Sequence, residues 1–204
     1  MTAADHIVRA EVQDAGWIAD LIGEAFHPLA VACWLVPDPH ERARILPRNF
    51  RIFVEHALAH GVVYTTSDQA AVAVWFPLDG PPLPEPADYQ QRLAAACGDA
   101  TPRFQHLDEL FEQHHPTEPH HHLGFLAVRP DRQRRGLGSS LLRHHHQQLD
   151  AAGTPAYLEA TSDDACKLYE RHGYRAMGPP FRLPDATPML PMWRVPVSPS
   201  GAVR

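Results

Sequence analysis

Val128-Arg-Pro-Asp-Arg-Gln-Arg-Arg-Gly-Leu-Gly-Ser-Ser140 is the stretch around which the rest of the chain arranges itself. It leaves the apolar run His122-Leu-Gly-Phe-Leu-Ala-Val128, which reads as a buried strand. It enters a helical pattern from Gly136 to Ala152 with Leu137, Leu141, Leu142 and Leu149 on one face. Gly136 and Gly138 omit side chains where backbone amides would approach a ligand closely. Amides at a helix N-terminus, backed by the positive end of its dipole, attract phosphate. Arg134 and Arg135 add cationic donors beside them. Two glycines alone also make an ordinary tight turn, and Gly-Leu-Gly-Ser-Ser-Leu lacks the third glycine of a dinucleotide fingerprint. The context must decide.

Downstream, Ala156–Ala160 is a second strand, Asp163–His172 a short helix closed by Gly173, and Tyr174–Met177 a strand start. Met189–Val197 reads as a final edge strand, because its prolines lack the N–H that an interior ladder uses. Upstream, His6–Glu11 is a short strand. Asp14 then caps a helix whose stripe is Trp17, Ile18, Leu21, Ile22, Ala25 and Phe26, ended by Pro28. Glu41–His60 is a second helix, kinked at Pro47 and stopped by Gly61. Val62–Thr66 and Ala71–Phe76 form a hairpin across Ser67-Asp68-Gln69.

Residues 77–113 open with five prolines between Pro77 and Pro86 and then show helical patches. No second core follows, so this is an insertion and not a linker. A chain of 204 residues has room for one sizeable core. The expectation is therefore one mixed α/β domain over 1–204, with 198–204 a flexible tail.

Composition excludes several classes. With 44% hydrophobic and 21% charged residues the chain is globular. Its net charge of −6 offers no general attraction to nucleic acid or anionic membrane. No stretch reaches the roughly 18 apolar residues of a membrane span, and Met1–Asp20 lacks the cationic start and apolar run of a signal peptide. Cys33, Cys97 and Cys166 are odd in number and far apart, which suits a reducing, cytoplasmic setting.

Two segments carry a family resemblance. Gln133-x-x-Gly136-x-Gly138, behind an apolar strand and Arg129-Pro130-Asp131, resembles the acetyl-CoA motif of the GNAT acetyltransferase superfamily. Ser162-Asp-Asp-Ala-Cys-Lys-Leu-Tyr-Glu-Arg-His-Gly-Tyr174 resembles that superfamily's Asn-x-x-Ala-x-x-Leu-Tyr-Glu-x-x-Gly-Phe segment. Their order, spacing and context agree. The implied fold is a single GNAT-type α/β domain, a mixed central sheet with splayed central strands and flanking helices. Further runs between Val62 and Tyr174 resemble members that acetylate antibiotic-like amines.

The resemblance implies a site. Leu126, Ala127 and Val128 on the central strand Leu123–Val128 would contact the pantetheine arm of acetyl-CoA, in the gap beside Ala156–Ala160. Gln133, Arg134, Arg135, Gly136, Leu137, Gly138 and Ser139 would hold the pyrophosphate, and Arg129 and Arg132 could reach the ribose phosphate. Ser162 stands where many relatives have Asn, which puts that cofactor contact in question. Direct transfer of acetyl to an amine needs a base for the ammonium proton, an amide for the oxyanion and an acid for the leaving thiolate. Tyr169, at the tyrosine position of the second segment, would be the acid, although a core aromatic could also stand there.

For the base there are two readings. Alternation puts His120 and His122 on one strand face and His121 on the other, and histidine titrates in the useful range. Glu159 on the next strand is the second candidate. Surface histidines and a backbone-satisfied buried carboxylate are the bland alternatives. The clustered His114, His115 and His120–His122, and the run His144–His146, lack the i, i+4 spacing of a dedicated metal site, so no metal is expected. Trp34, in a loop between Pro28 and Pro37, and Trp75, in its apolar run, are candidate acceptor-pocket walls together with Phe50; core packing competes for Trp75. The function expected is N-acetylation of a small-molecule amine. A protein or peptide acceptor is the alternative within enzymes, and a non-catalytic acyl-CoA-binding regulator the alternative outside them.

Overall fold

The structure is a computed structural model and describes residues 6–197; the tail expected over 198–204 lies outside the described residues. Chain order gives β1 (Ile7–Arg9), α1 (Ala15–Phe26), α2 (Ala30–Leu35), α3 (Pro39–His60), β2 (Val62–Thr66) and β3 (Ala71–Leu78). The insertion supplies α4 (Tyr89–Cys97) and α5 (Thr101–His114). Then come β4 (His120–Val128), α6 (Leu137–Ala152), β5 (Ala156–Ala160), α7 (Asp163–Arg171), β6 (Arg175–Ala176), β7 (Phe181–Arg182) and β8 (Pro188–Arg194).

The strands make one mixed sheet in the order β1-β2-β3-β4-β5-β8-β6, with β7 also on β8. Alternation along β3 separates two cores. Val72 and Val74 face the α1–α5 side, where Ile18, Ile22, Leu46 and Val54 pack. Ala71, Ala73 and Trp75 face α6, with Leu141, Leu142 and Leu149. Each side chain is removed from water on its own side, which fixes strand register against a one-residue slip.

Only one pairing in the sheet's middle is parallel. β4 meets β5 at His121↔Ala156 and His122↔Tyr157 and nowhere further along. Beyond His122 the two strands part, and β5 turns its other edge to β8 over its whole length. The expected splay of Leu123–Val128 from Ala156–Ala160 is present.

Three sequence expectations need correction. β8 is not an edge strand, since it lies between β5 and β6. Its Pro191 is tolerated because the β6 ladder covers only Trp193 and Met192. The Pro191 carbonyl accepts from Met177 N on that side, so the missing N–H faces a position where β6 has already ended. The Phe26–Asp38 connection is no plain loop, for it contains α2, and Trp34 lies on that helix. Asp14 precedes α1 as expected, but its carboxylate accepts from Glu11 N and Trp17 Nε1 (2.8 and 3.0 Å) and from none of the helix's own backbone amides.

Candidate active site

The fork between β4 and β5 is made by sequence in two places. Val74 pairs with Phe125 and Trp75 with Leu123, so Gly124 is the extra residue of a β-bulge. A Cβ on Gly124 would stand 2.8 Å from the Phe76 ring, which leaves glycine as the residue that fits. Past the bulge, β4 has no β5 partner, and its backbone groups on that side face open space. That space is a cavity of about 1030 Å³, reaching from the α6 N-terminus through the fork to the helices of the insertion.

Leu126, Ala127 and Val128 line the cavity on β4, and Gln133, Arg134, Gly136, Leu137, Gly138 and Ser139 line it at the turn. Gly136 takes φ +84° ahead of α6, a conformation L side chains rarely adopt. No side chain caps α6 there. Ser140 N reaches Gly136 O as the first helical bond, so the amides of Leu137, Gly138 and Ser139 have no intrahelical acceptor. Unpaired amides at a helix N-terminus attract anions. Arg135 is exposed and stands outside the cavity lining.

Other parts of the turn are already engaged. Arg129 grips Asp131 with two hydrogen bonds of 2.7 and 2.6 Å, and Arg132 pairs with Asp68 at 2.7 Å. These pairs brace the loop, and the two arginines are not free cations. Gln133 Nε2 donates to Val128 O at 3.2 Å and ties the turn to the end of β4. Ser162 lines the cavity, but its Oγ accepts from Ala165 N at 3.2 Å as the N-cap of α7. Ser139 Oγ lies 3.0 Å from His172 Nε2, joining the start of α6 to the end of α7.

At the fork's closed end His122 Nε2 lies 2.9 Å from Glu159 Oε2. Both line the cavity, and the Glu159 side chain is only 6% exposed. Burial pulls the Glu159 carboxyl upward, yet its neighbours, His122 first, outweigh that and hold it below its ordinary value, as a carboxylate. His120 shares the strand face of His122, as alternation predicts. It is 1% exposed, though, and stands outside the cavity lining. Burial moves its imidazole down. Its Nδ1 bonds Glu118 O and its Nε2 meets His115 Nε2 at 3.1 Å. By sequence His115 stands only among the clustered histidines, because its contact with Glu159 is long-range.

Tyr169, on α7, lines the cavity and packs edge-on against Tyr174 at 5.7 Å between ring centroids. Burial, then Cys166 and Glu159, push its phenol above its ordinary value, so it keeps its proton at neutral pH.

Beyond the fork the walls are aromatic. Phe125 of β4 stands edge-on to Phe26 and Phe50, at 6.1 and 5.1 Å. Phe53 and Phe76 stand on the same wall, and the insertion adds Phe104 and Phe111. Asp108 of α5 faces in as well. Burial raises its carboxyl, against a hydrogen bond from the Tyr89 hydroxyl. Of the three expected wall residues only Phe50 lines this space. Trp75 is 0% exposed on the α6 face, its ring 4.3 Å from that of His145. Trp34 packs instead beside Arg103 and His106. Large apolar residues sort by helix and strand face, which a lone tryptophan in a short segment does not reveal.

Residues 97–176 match the acetyltransferase (GNAT) domain family. Among solved structures, a histone acetyltransferase HPA2-related acetyltransferase from Corynebacterium glutamicum is 28% identical. That match covers 96% of this chain and 98% of the other, at a TM-score of 0.72. The ribosomal-protein-S18-alanine N-acetyltransferase of Escherichia coli is 18% identical, with 98% and 97% covered and a TM-score of 0.56. Arylalkylamine N-acetyltransferase 2 of Aedes aegypti is 13% identical, with 94% and 99% covered and a TM-score of 0.59. The last two share the fold.

Proposed function

We propose a reaction and an acceptor class for this chain, which carries a GNAT acetyltransferase domain and is thereby an acyltransferase: it moves acetyl from acetyl-CoA directly to the amine of a small, largely apolar molecule. One observation carries the reading. An open strand edge on β4 leads from a helix N-terminus to an aromatic cavity, and a His122–Glu159 pair sits at the fork between them.

The family's acetyl-CoA suits the residues present. Its pantetheine would add to the free edge at Leu126, Ala127 and Val128 as an extra strand. Its pyrophosphate would lie on the amides of Leu137, Gly138 and Ser139, with Arg134 and Arg135 beside it and Gln133 and Ser162 flanking. His122, oriented by Glu159, takes the proton of the incoming ammonium. A β4 amide near Leu126–Val128 meets the developing oxyanion. Tyr169 donates its proton to the departing thiolate, and the second proton that the amine nitrogen sheds on becoming an amide returns to the phenolate. No enzyme nucleophile is required. No metal takes part in the transfer.

The acceptor reading rests on Phe26, Phe50, Phe125 and Phe111, which would bury an apolar or aromatic body and leave its amine at the fork. The mosquito structure of the same fold is named for arylalkylamines, a class such walls fit. The runs Ala71-Val-Ala-Val-Trp75, Thr117-Glu-Pro119, Ala152-Gly-Thr-Pro-Ala-Tyr-Leu-Glu159 and Tyr169-Glu-Arg171 resemble those of puromycin N-acetyltransferase. An antibiotic or amino-nucleoside is therefore the first acceptor to try. A protein or peptide is the second reading, which the modest net charge of −6 suits but does not decide. The three well-separated free cysteines suit a reducing compartment, and the proposal places the enzyme in the cytoplasm.

An amine panel with acetyl-CoA, read as acetylated product, tests the reading. Turnover with puromycin-like or arylalkyl amines supports it, and turnover confined to lysine-rich peptides replaces it with the second.

A further inference from the structure

Three side chains distant in sequence meet where the fork closes. His115 follows α5, His122 lies on β4 and Glu159 on β5, and one donor atom from each falls within 4.8 Å of the others. His122 Nε2 is 2.9 Å from Glu159 Oε2, and His115 Nδ1 is 3.9 Å from Glu159 Oε1.

The hydrogen-bond partners fix the tautomers. His120 Nδ1 lies 2.7 Å from the carbonyl oxygen of Glu118, which can only accept, so that nitrogen carries the proton. His120 Nε2 is then a lone pair, and His115 Nε2 donates to it across 3.1 Å. A neutral His115 consequently turns a bare Nδ1 toward Glu159. Glu159 Oε1 is buried without a hydrogen-bond partner, on a side chain 6% exposed. Two electron-pair donors thus face one another with no positive charge between them. Tyr157 adjoins the same carboxylate, but its hydroxyl is likewise buried without a hydrogen-bond partner; burial raises its phenol, so it keeps its proton and is not a ligand.

We propose that His115, His122 and Glu159 bind one divalent ion of the zinc class, and that the bound ion holds the enzyme inactive by occupying its base. Two imidazoles and a carboxylate are a donor set that zinc accepts, with a fourth position left to water. Tetrahedral bonds of about 2.0–2.1 Å put ligand atoms roughly 3.3 Å apart. The 2.9 and 3.9 Å separations, each to a different oxygen of Glu159, depart from that by roughly half an ångström, and with the three donor atoms within 4.8 Å of one another the side chains must close by about 1.5 Å at most. His120 and the Glu118 carbonyl supply the outer hydrogen bonds that orient His115. His122 moves its proton from Nε2 to Nδ1, a change of tautomer with no net proton release. Nitrogen ligands disfavour magnesium and calcium. Inhibition rests on the reading of His122 and Glu159 as the base pair, whereas ion binding does not.

The full chain, stripped with a chelator, is titrated with Co²⁺ and then Zn²⁺. One Co²⁺ per chain is expected, with the intense visible bands of four-coordinate cobalt, displaced by Zn²⁺. Glu159→Gln, which keeps the side chain's size, and His115→Ala each weaken binding at least about tenfold. His40→Ala, on the exposed start of α3, leaves it unchanged. Thermal melts identify any variant that fails to fold, and the folded one of the pair is then read. No saturable cobalt spectrum from the folded chain, or a spectrum that survives both substitutions, overturns the site. Product formation should fall at least about tenfold at saturating Zn²⁺ and return with chelator. A one-equivalent cobalt spectrum without that fall overturns the inhibition and, with it, the base reading, while the site itself stands.

Discussion

Glu159 Oε2 lies 2.9 Å from His122 Nε2 across the last residue pairs that join β4 to β5. The two strands hold a carboxylate and an imidazole together at the point where they separate. That geometry puts the pair, the proposed base, at the junction between the open edge of β4 and the aromatic cavity.

Replacing His122 with Ala removes the proposed base. Turnover should fall by about 10²–10⁴, with the acetyl-CoA Kd nearly unchanged because the phosphate turn is untouched. Glu159→Gln should lower turnover by a smaller factor, since the imidazole remains. Steady-state kinetics beside cofactor titration reads both, and equal losses in cofactor affinity would count against the assignment.

Tyr169→Phe keeps the ring against Tyr174 and deletes only the hydroxyl. The expected result is a kcat lower by about 10²-fold with acceptor KM and cofactor Kd preserved. An unchanged kcat would make Tyr169 a core aromatic.

Gly136→Val forces a β-branched residue to φ +84°, a strain of about 1–3 kcal/mol. The backbone would relax and turn the amides of Leu137 and Gly138 away. Cofactor affinity should drop by at least about tenfold, a loss of roughly 1.4 kcal/mol, while the melting temperature falls by only a few degrees. Calorimetric titration with acetyl-CoA checks it.

Two aromatic substitutions separate wall from core. Phe125→Ala should raise the KM of an apolar amine about tenfold, as burial of a ring face is lost. Trp75→Ala should instead destabilise the fold by about 3–5 kcal/mol and leave acceptor KM where it was, since Trp75 is sealed against α6. A Trp75 variant with altered KM and unaltered stability would reverse that placement.

Much of the fold was legible because its signals are local. The apolar β4 run, Gly136 and Gly153 bounding α6, and the 71–76 alternation each fix an element from neighbouring residues. The turn between β4 and α6 and the place of Tyr169 on α7 were legible for the same reason. Features made by long-range contact were not. Pro191 reads as an edge signal because sequence cannot show that β6 is two residues long. Trp34 and Trp75 look alike as large aromatics, and only the α2 helix and the α6 core tell them apart from Phe125. His115 joins the site through a loop after the insertion, 44 residues before Glu159 in the chain (159 − 115). Arg129 and Arg132 read as free cations until Asp131 and Asp68 are placed beside them.

The central claim is acetyl transfer from acetyl-CoA to a small apolar amine at the His122–Glu159 fork. The direct measurement is acetylated product formed from acetyl-CoA by the chelator-treated chain, with puromycin, an arylalkylamine and a lysine-rich peptide offered separately. The account predicts a kcat/KM for at least one of the small amines that exceeds the peptide's by about 10²-fold or more, and its loss in His122→Ala. Product from the peptide alone, or small-amine turnover undiminished in His122→Ala, would contradict it.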